Sequence, residues 1–582
     1  KEIATGSRFF MKLHHTAEGK GQGRGGGAYT MDDSPAKGGS EGSKRIGMLD
    51  TNALLSHGAT ATLQDIGTVR GQKNDEYWMQ FMSGYNPQAP KVPFVYRKFV
   101  NQLKAAGVNV VKQGTQTNIM ALTDKDVSEL AGSRELKSSV GVDWGNDLKE
   151  IPGGLFDKAA TGGHGGNKWS YIKLTEPMPN PVMEEPIRKI LGLTEKKFNS
   201  ILSGEEPLDN YGTGPNAIYK NLANMNIDSE LRKTRNIIQA GRKTDRDNAV
   251  KKLGYLKSAK KMKIDLKDYM LTKVPVLPPM FRPVSLMSND MPLVNDANYL
   301  YKELFEANKN LKSIQDALGS DNSGPERLAT YRAFKAVTGL GDPISQKTKD
   351  KNVKGILKGV FGSSPKFGTL QRKLISTTVD NVGRAVITPN PDLDMDSVGL
   401  PESKAFKVYD KFITRRLVRQ GMSIRAAREQ VTNKTDLARK TLIEEMDKRP
   451  VYISRAPVLH KFGIMAMRPR LTKGETLQVS PLIVKGFGAD FDGDAMNYHV
   501  PTTEKSRKEA IERLLPSRNL FSLSDFKSVM HAPANEYVGG LYLATKNRSK
   551  KPKRIFKTVQ DAKKAYERGD ISLADNVQIL ES

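Results

Sequence analysis

Three aspartates at alternating positions, Asp490, Asp492 and Asp494, lie in the run Gly486-Phe-Gly-Ala-Asp-Phe-Asp-Gly-Asp-Ala-Met-Asn497. Carboxylates spaced this way on a short loop can converge on one hard cation, and ligation by oxygen alone suits Mg²⁺ or Mn²⁺ rather than zinc. Gly493 frees the backbone to turn between the second and third carboxylates. A calcium-binding helix–loop–helix is excluded by counting from Asp490. The sixth residue is Ala495, where that loop needs glycine, and the twelfth is Pro501, where it needs a bidentate glutamate. The plain alternative is an exposed acidic turn, because Asp and Gly favour turns whatever their function.

The elements that must hold this loop are legible on both sides of it. Leu477-Gln-Val-Ser-Pro-Leu-Ile-Val484 precedes it and Met496-Asn-Tyr-His-Val500 follows, so the loop is expected to join two strands. From 386 to 500 short β runs separated by Pro and Gly dominate, with a helical insertion at about 404–447. Residues 296–340 favour two helices, Asn298–Leu318 and Pro325–Val337, broken by Gly319-Ser-Asp-Asn-Ser-Gly324 in the manner of a helical hairpin. Residues 230–263 are helix-permissive and strongly basic, with Arg232, Arg235, Lys260 and Lys261 among them; such a run is as readily a solvated face as a binding one. Glu176–Pro181 and Val274–Pro283 are too rich in proline for helix and read as extended. Asn101–Val111 reads as a helix ended at Gly107 and then a strand, and Arg8–Lys12 as a strand. The basic, Gly-rich stretch 16–47 suits a linker or a loop that approaches a ligand closely, 114–155 reads as a junction, and Lys546–Arg554 forms a second basic run.

The chain has 582 residues, more than one core can serve. Its net charge of +28 makes a polyanion the expected partner. With no cysteine there are no disulfides, thiolate zinc sites or cysteine nucleophiles, and no His-x-x-x-His pair suggests a zinc helix. No apolar run is long enough for a membrane span and no signal peptide is visible. The chain opens on Lys1, as a fragment or a processed product would. Trp78, Trp144 and Trp169 read as core, Met465 and Met467 as packing residues, and His460 and His499 as histidines packed beside the β region rather than catalytic.

The aspartate run, the upstream Arg449-Pro-Val-Tyr-Ile-Ser-Arg-Ala-Pro-Val-Leu-His460 and the proline stretch at 274–283 together resemble the β′ subunit of multisubunit RNA polymerases. His499-Val-Pro-Thr-Thr503 and Ala534-Asn-Glu-Tyr-Val-Gly-Gly-Leu-Tyr542 continue the likeness downstream. Asn295–Tyr301 with Asn308–Leu311 resembles the clamp coiled coil, and Thr377–Ile387 the switch segment at the clamp hinge. The first part of the chain is similar to the end of the β subunit, through Met11–Lys20, Arg24, Pro35–Gly39, Lys44–Gly47, His57–Gln64 and Leu103–Val110. Three departures stand out. The cysteines of the usual β′ zinc site are absent, Gly488 replaces the usual Asn before the Ala-Asp, and Thr377-Thr378 replaces a Lys-Arg pair. Subunits joined and reduced in this way look most like the polymerases of large bacteriophages.

The resemblance implies a mixed α/β, multidomain fold: a double-psi β-barrel carrying the aspartates, an α/β clamp and a helical-hairpin insertion. It implies β-like barrel and Gly-rich loops at 1–58, a β C-terminal module at 59–113, a junction at 114–155 and a β′ clamp at 156–295. The helical hairpin follows at 296–340, the rudder and switch at 341–388, the catalytic barrel at 389–510, and the start of a further helical region at 511–582. It makes Asp490, Asp492 and Asp494 catalytic metal ligands for Mg²⁺ in a two-metal reaction, with the second ion arriving on the nucleotide and no zinc. Arg455 would lie by the ribose 2′-hydroxyl, the alternative being a structural arginine paired with a carboxylate. His15 and Lys20 would bind substrate phosphates, and Arg24, Lys44, Arg45, Arg282 and Arg384, with the basic run at 230–263, would contact nucleic acid. The implied partners are a DNA template, RNA product, nucleoside triphosphates, separate subunits supplying the rest of β and β′, and an initiation factor on the helical hairpin. No membrane is implied, and the enzyme would work in the host cytoplasm or be packaged in a virion. Two other classes fit less of the pattern: an RNA-templated polymerase with a similar barrel, and a non-catalytic nucleic-acid clamp.

Overall fold

The computed structural model describes residues 6–580 apart from 12–14, 115, 138–149, 288, 290, 363, 365, 535, 547–553 and 573–574. Trp144 and most of the second basic run lie outside the described residues. The chain divides into two compact units, one of residues 1–95 with 374–582 and the other of 96–373.

The main sheet of the first unit has seven strands: β1 (Gln22–Arg24), β2 (Val382–Pro389), β3 (Ser397–Pro401), β4 (Val451–Ser454), β5 (Ile464–Thr472), β6 (Leu477–Val479) and β7 (Ala495–His499). They pair in the order β2, β6, β3, β5, β4, β7, and β7 returns to β2, which closes a six-stranded barrel; β1 pairs with β2 as a seventh strand. The pairs β2–β6 and β3–β5 are parallel and the others antiparallel. Alternate residues of every barrel strand enter one core: Ala385 and Ile387, Val398 and Leu400, Val451 and Ile453, Met465 and Met467, Leu477 and Val479, Met496 and Tyr498. That two-residue period is what a pleated strand imposes, and burying each large aliphatic side chain contributes roughly 1.5–3 kcal/mol. Tyr452 belongs to a second core with Leu54, Ile66, Val382 and Leu514, which is why β4 is buried at every position. Gly383 is required where it stands, because a Cβ there would lie 2.1 Å from the Tyr498 ring.

The helical insertion forms three helices, Glu402–Arg419, Ile424–Thr432 and Asp436–Lys448. Trp78 is buried, as expected, edge-on to Phe412 of the first. Three sequence expectations fail in this unit. Residues 477–484 do not form one strand: β6 stops at Val479, Pro481–Ile483 make a 3₁₀ turn and Val484–Phe487 a helical turn. Pro481 has no N–H to give a ladder and suits a first helical turn, so the aspartate loop joins a helical turn to a strand. Residues 8–11 are not a strand; Phe9 and Phe10 are exposed, with no pairing partner among the described residues. His460 is exposed with its ring edge on Phe462, whereas His499 is buried.

In the second unit, Gly107 ends the helix Phe94–Ala105 with positive φ, and a hairpin of Val108–Gln113 and Gln116–Ala121 follows. The stretch read as a junction thus contains a strand and the helix Asp124–Ala131. Ser170–Pro179 and Met270–Val276, both proline-bearing, form an antiparallel pair, with Trp169 buried beside it. Helices Asp296–Leu318 and Gly324–Thr338 pack along one another. Arg327 of the latter grips Glu176 through two hydrogen bonds of 2.7 and 2.9 Å in the interior. Arg282 corrects a sequence reading. It is 0% exposed, and Nε, Nη1 and Nη2 donate to Leu277 O (2.5 Å), Asn298 Oδ1 (2.6 Å) and Leu155 O (2.6 Å). Its guanidinium also lies over the Phe156 ring at 4.8 Å. Such a residue holds its own unit together and cannot reach a nucleic acid.

Candidate metal centre and basic cleft

Asp490, Asp492 and Asp494 stand on the loop entering β7, and one carboxylate oxygen of each lies within 4.8 Å of the others. The loop is shaped by two positive-φ glycines, Gly488 (φ 57°) before it and Gly493 (φ 113°) within it. Gly493 makes the turn expected of it, at a φ that costs other residues strain. The Asp494 carbonyl accepts from the Ile387 N–H at 2.9 Å, so the loop's last ligand is tied to β2. Asp490 and Asp492 are exposed and Asp494 is half-buried.

The electrostatics favour a bound cation. A hydrogen bond with Asp492, then slight desolvation and the charges of Asp492 and Asp494, push the Asp490 carboxyl above its ordinary range. Burial would raise Asp494 as well, but the Arg455 guanidinium outweighs it and holds that carboxyl below the ordinary range. Crowded like charges of this kind are relieved by a divalent ion. Three oxygen donors, with no nitrogen or sulfur donor in the cluster, fit Mg²⁺ or Mn²⁺.

Arg455 Nε donates to Asp494 Oδ2 at 2.8 Å. The structural alternative for Arg455, pairing with a carboxylate, is therefore realised. The same residue also lines an open cleft of about 370 Å³ with Lys20, Gln22, Lys44, Arg384, Gly493 and Asp494. Lys20 Nζ donates to Gly493 O at 3.3 Å. Lys44 donates to Gln22, and burial together with the Arg384 charge pulls its pKa down. Gln22 had no signal in the sequence. It arrives because β1 pairs with β2 in a register that sets Gln22 opposite Arg384. A second cavity of about 320 Å³ is lined by Asp490, Phe491, Asp492 and Tyr537; neither aromatic was assigned a role from sequence.

The remaining candidates separate. Arg24 is 3% exposed, and its donors go to Asp380 Oδ1 (2.6 Å), Glu41 O (3.0 Å) and Ala28 O (2.9 Å). It is a framework residue, and the expectation that it binds nucleic acid is corrected for the same reason as for Arg282. Arg45 and Arg384 are exposed, and His15 is exposed without entering either cavity.

Residues 415–515 match the family described as RNA polymerase Rpb1, domain 2. This segment contains β4–β7 and the aspartate loop. The chain is 31% identical over 385 residues to the DNA-directed RNA polymerase subunit β′ of Thermobifida fusca, covering 63% of this chain and 29% of that protein. It is 29% identical over 412 residues to the β′ subunit of Acetivibrio thermocellus, covering 68% of this chain and 34% of that protein. Against the β′ subunit of Halalkalibacterium halodurans the figures are 29% over 433 residues, 70% and 34%. The chain is thus similar to multisubunit RNA polymerase subunits over some two thirds of its own length, and spans about a third of the length of these curated relatives.

Proposed function

We propose that this chain is a catalytic subunit of a multisubunit DNA-directed RNA polymerase, adding nucleotides to an RNA 3′ end on a DNA template. The observation that carries this reading is a convergent aspartate triad on a closed β-barrel, bordered by a cleft of Lys20, Lys44, Arg384 and Arg455. The likeness to β′ subunits supports it, and we take the barrel to be of the double-psi kind. Asp490, Asp492 and Asp494 would hold one Mg²⁺, which when bound acidifies the primer 3′-hydroxyl and, with a second ion carried by the nucleotide, neutralises the triphosphate. The chain's own part is positioning. Arg455 fixes Asp494 and offers its remaining N–H groups to the ribose side of the cleft, while Lys20, Lys44 and Arg384 receive phosphates. His15 and Arg45, both exposed, are assigned to the incoming nucleotide and the nucleic-acid backbone.

Activity would require companion subunits supplying the rest of β and β′, with an initiation factor docking on the hairpin of helices Asp296–Leu318 and Gly324–Thr338. The order of β-like and β′-like segments, Gly488, Thr377-Thr378 and the absence of cysteine support a large-phage enzyme working in the bacterial cytoplasm or carried in a virion. RNA extension on a pre-annealed RNA–DNA scaffold, by the complex that co-purifies with this chain, tests the reading. Mg²⁺-dependent extension that Asp492→Ala abolishes is expected. Scaffold binding without extension by the complete complex would instead mark a clamp, and extension on an RNA template alone would mark an RNA-templated polymerase.

A further inference from the structure

The three aspartates are not held alike. Asp494 is fixed directly, by Arg455 and by the bond of its carbonyl to β2. Among the described residues Asp490 and Asp492 bond only within the loop, so their placement depends on the helical turn Val484–Phe487 from which the loop starts. His531 packs against that turn. It is 4% exposed, and a Cβ on Gly486 would lie 3.0 Å from its Cε1 and 3.3 Å from its Nδ1. Gly486, unlike Gly488 and Gly493, has no positive φ, so its backbone accepts any residue. What the position excludes is a side chain, and the ring is the reason. The His531 ring also stands edge-on to the buried Phe462, with centroids 5.8 Å apart. Burial outweighs the Asn519 backbone and the Asp396 charge and keeps its pKa below the ordinary histidine value, so at pH 7 it packs as an uncharged ring. A little further along the chain, Ala534 and Tyr537 line the same cavity as Asp490 and Asp492. The segment carrying His531 thus meets the aspartate loop twice.

We propose that His531 is a positioning residue of the aspartate triad, a role that rests on the triad's being a metal centre. By occupying the place of a Gly486 side chain, the ring fixes the turn from which Asp490 and Asp492 project. It touches neither metal nor substrate and acts through Gly486. The carboxylates repel one another, and a loop free to relax would spread them. A fixed entry turn keeps them within reach of one ion before the ion arrives, which lowers the cost of binding it. Close packing makes the contact exacting, because a turn displaced by a fraction of an ångström carries its ligands with it.

The test uses the full chain in its co-purifying complex, with Mn²⁺ as the probe and no nucleotide present. Free Mn²⁺ is followed by its electron paramagnetic resonance signal, and the binding that Asp492→Ala removes is assigned to the triad. His531→Ala should weaken that binding by about tenfold, the low end for a residue that orients metal ligands. His531→Phe, an uncharged ring of similar breadth, should stay within about threefold. Gly486→Ala should weaken binding by about threefold or more, because the added methyl and the ring compete for one space. The two alanines together should return to within about threefold of the unsubstituted complex, since the methyl then enters the space the ring has left. Gly486→Ala therefore weakens binding in the presence of His531 and strengthens it in the absence of the ring. A merely structural His531 would lower the melting temperature and leave the Mn²⁺ affinity of the folded complex unchanged. That result, or losses that multiply in the double variant, overturns the proposal. If His531→Ala melts too early, His531→Gln and Gly486→Ala carry the test, and unchanged affinity in both overturns it. Scaffold extension is measured on the same preparations. Shifted Mn²⁺ affinity in the variants without extension by the unsubstituted complex sinks the polymerase reading and leaves His531 its role. Normal extension with unshifted affinity sinks the role of His531 alone, and no Asp492-dependent Mn²⁺ binding in the unsubstituted complex overturns the metal centre and that role with it.

Discussion

The aspartate cleft and the groove between helices Ile227–Ala240 and Lys243–Met262, lined by Arg232, Arg235, Lys257 and Lys261, are both cationic, yet most of their charges are held differently. In the cleft three of the four cations are tied to something fixed, and only Arg384 is exposed with no side-chain bond among the described residues. Arg455 is bonded to Asp494, Lys20 to the Gly493 carbonyl and Lys44 to Gln22. In the groove Arg235, Lys257 and Lys261 extend from exposed helix faces with no carboxylate partner among the described residues. A site that must place a reacting atom needs the first arrangement, because small misplacements cost large factors in rate. A site that only has to hold a polyanion gains from the second, where charge counts and geometry does not. Positive charge by itself therefore says little about role; what each charge is fastened to says more.

The sharpest way to break this contrast is at the triad. Asp492→Ala should lower scaffold extension by at least a thousandfold, roughly 4 kcal/mol, while leaving scaffold affinity within a few-fold. Comparable loss of binding and catalysis would mean that the cleft, too, works by charge alone. The framework arginines come next. Arg24→Ala removes the ion-pair partner of the buried Asp380 carboxylate and leaves it the Tyr29 hydroxyl, and Arg282→Ala strands three buried acceptors, so each should cost about 3–5 kcal/mol in denaturant unfolding. Arg384→Ala, exposed, should leave the midpoint within about 0.5 kcal/mol and weaken only scaffold binding. An equal stability loss in all three would erase the distinction drawn between framework and cleft.

Arg455→Ala should reduce Mg²⁺ affinity or extension by roughly ten- to a hundredfold, as loss of a residue that orients a ligand does. The effect should fall on the Mg²⁺ dependence more than on scaffold affinity, and a purely scaffold-affinity defect would remove Arg455 from the ligand-fixing role. A smaller effect separates core from site. Burial and the nearby Arg70 charge pull the His499 pKa down to about 3. The unfolded chain takes up a proton there near pH 6.5 and the folded one does not, so stability falls as pH drops from about 6.5 towards 3. Its contribution is on the order of 1.4 kcal/mol for each pH unit in that window. Both ring nitrogens are buried without a hydrogen-bond partner among the described residues. His499→Phe should therefore be tolerated at pH 7 and show a flatter urea-midpoint profile between pH 7 and 5; an unchanged slope would show that His499 titrates in the fold. At the small end, Arg45→Ala should shift the unfolding midpoint by less than about 0.5 kcal/mol.

The parts of the site written in local spacing are legible in the order of residues alone. Three aspartates two apart can meet on a loop that Gly493 turns, and an oxygen-only donor set suits a hard cation. The proline stretches, the helix pair around Gly319 and the Gly107 helix stop are legible for the same reason: each is dictated by backbone preferences within a few residues. Pro481 marks where that reading slips, since an apolar β-branched run outweighs a residue that cannot donate to a ladder.

The sequence by itself thus determined the oxygen-only donor set of the aspartate run, the absence of thiolate chemistry and the excess of positive charge. Only the tertiary structure decided which cations meet the aspartates. Gln22 and Arg24 are two residues apart on one strand, yet Gln22 lines the cleft and Arg24 is buried against Asp380. The partners that settle this, Arg384 and Asp380, come from the far side of the chain. An arginine's role is set by the carboxylates and carbonyls that reach it, and strand pairing across hundreds of residues brings them there.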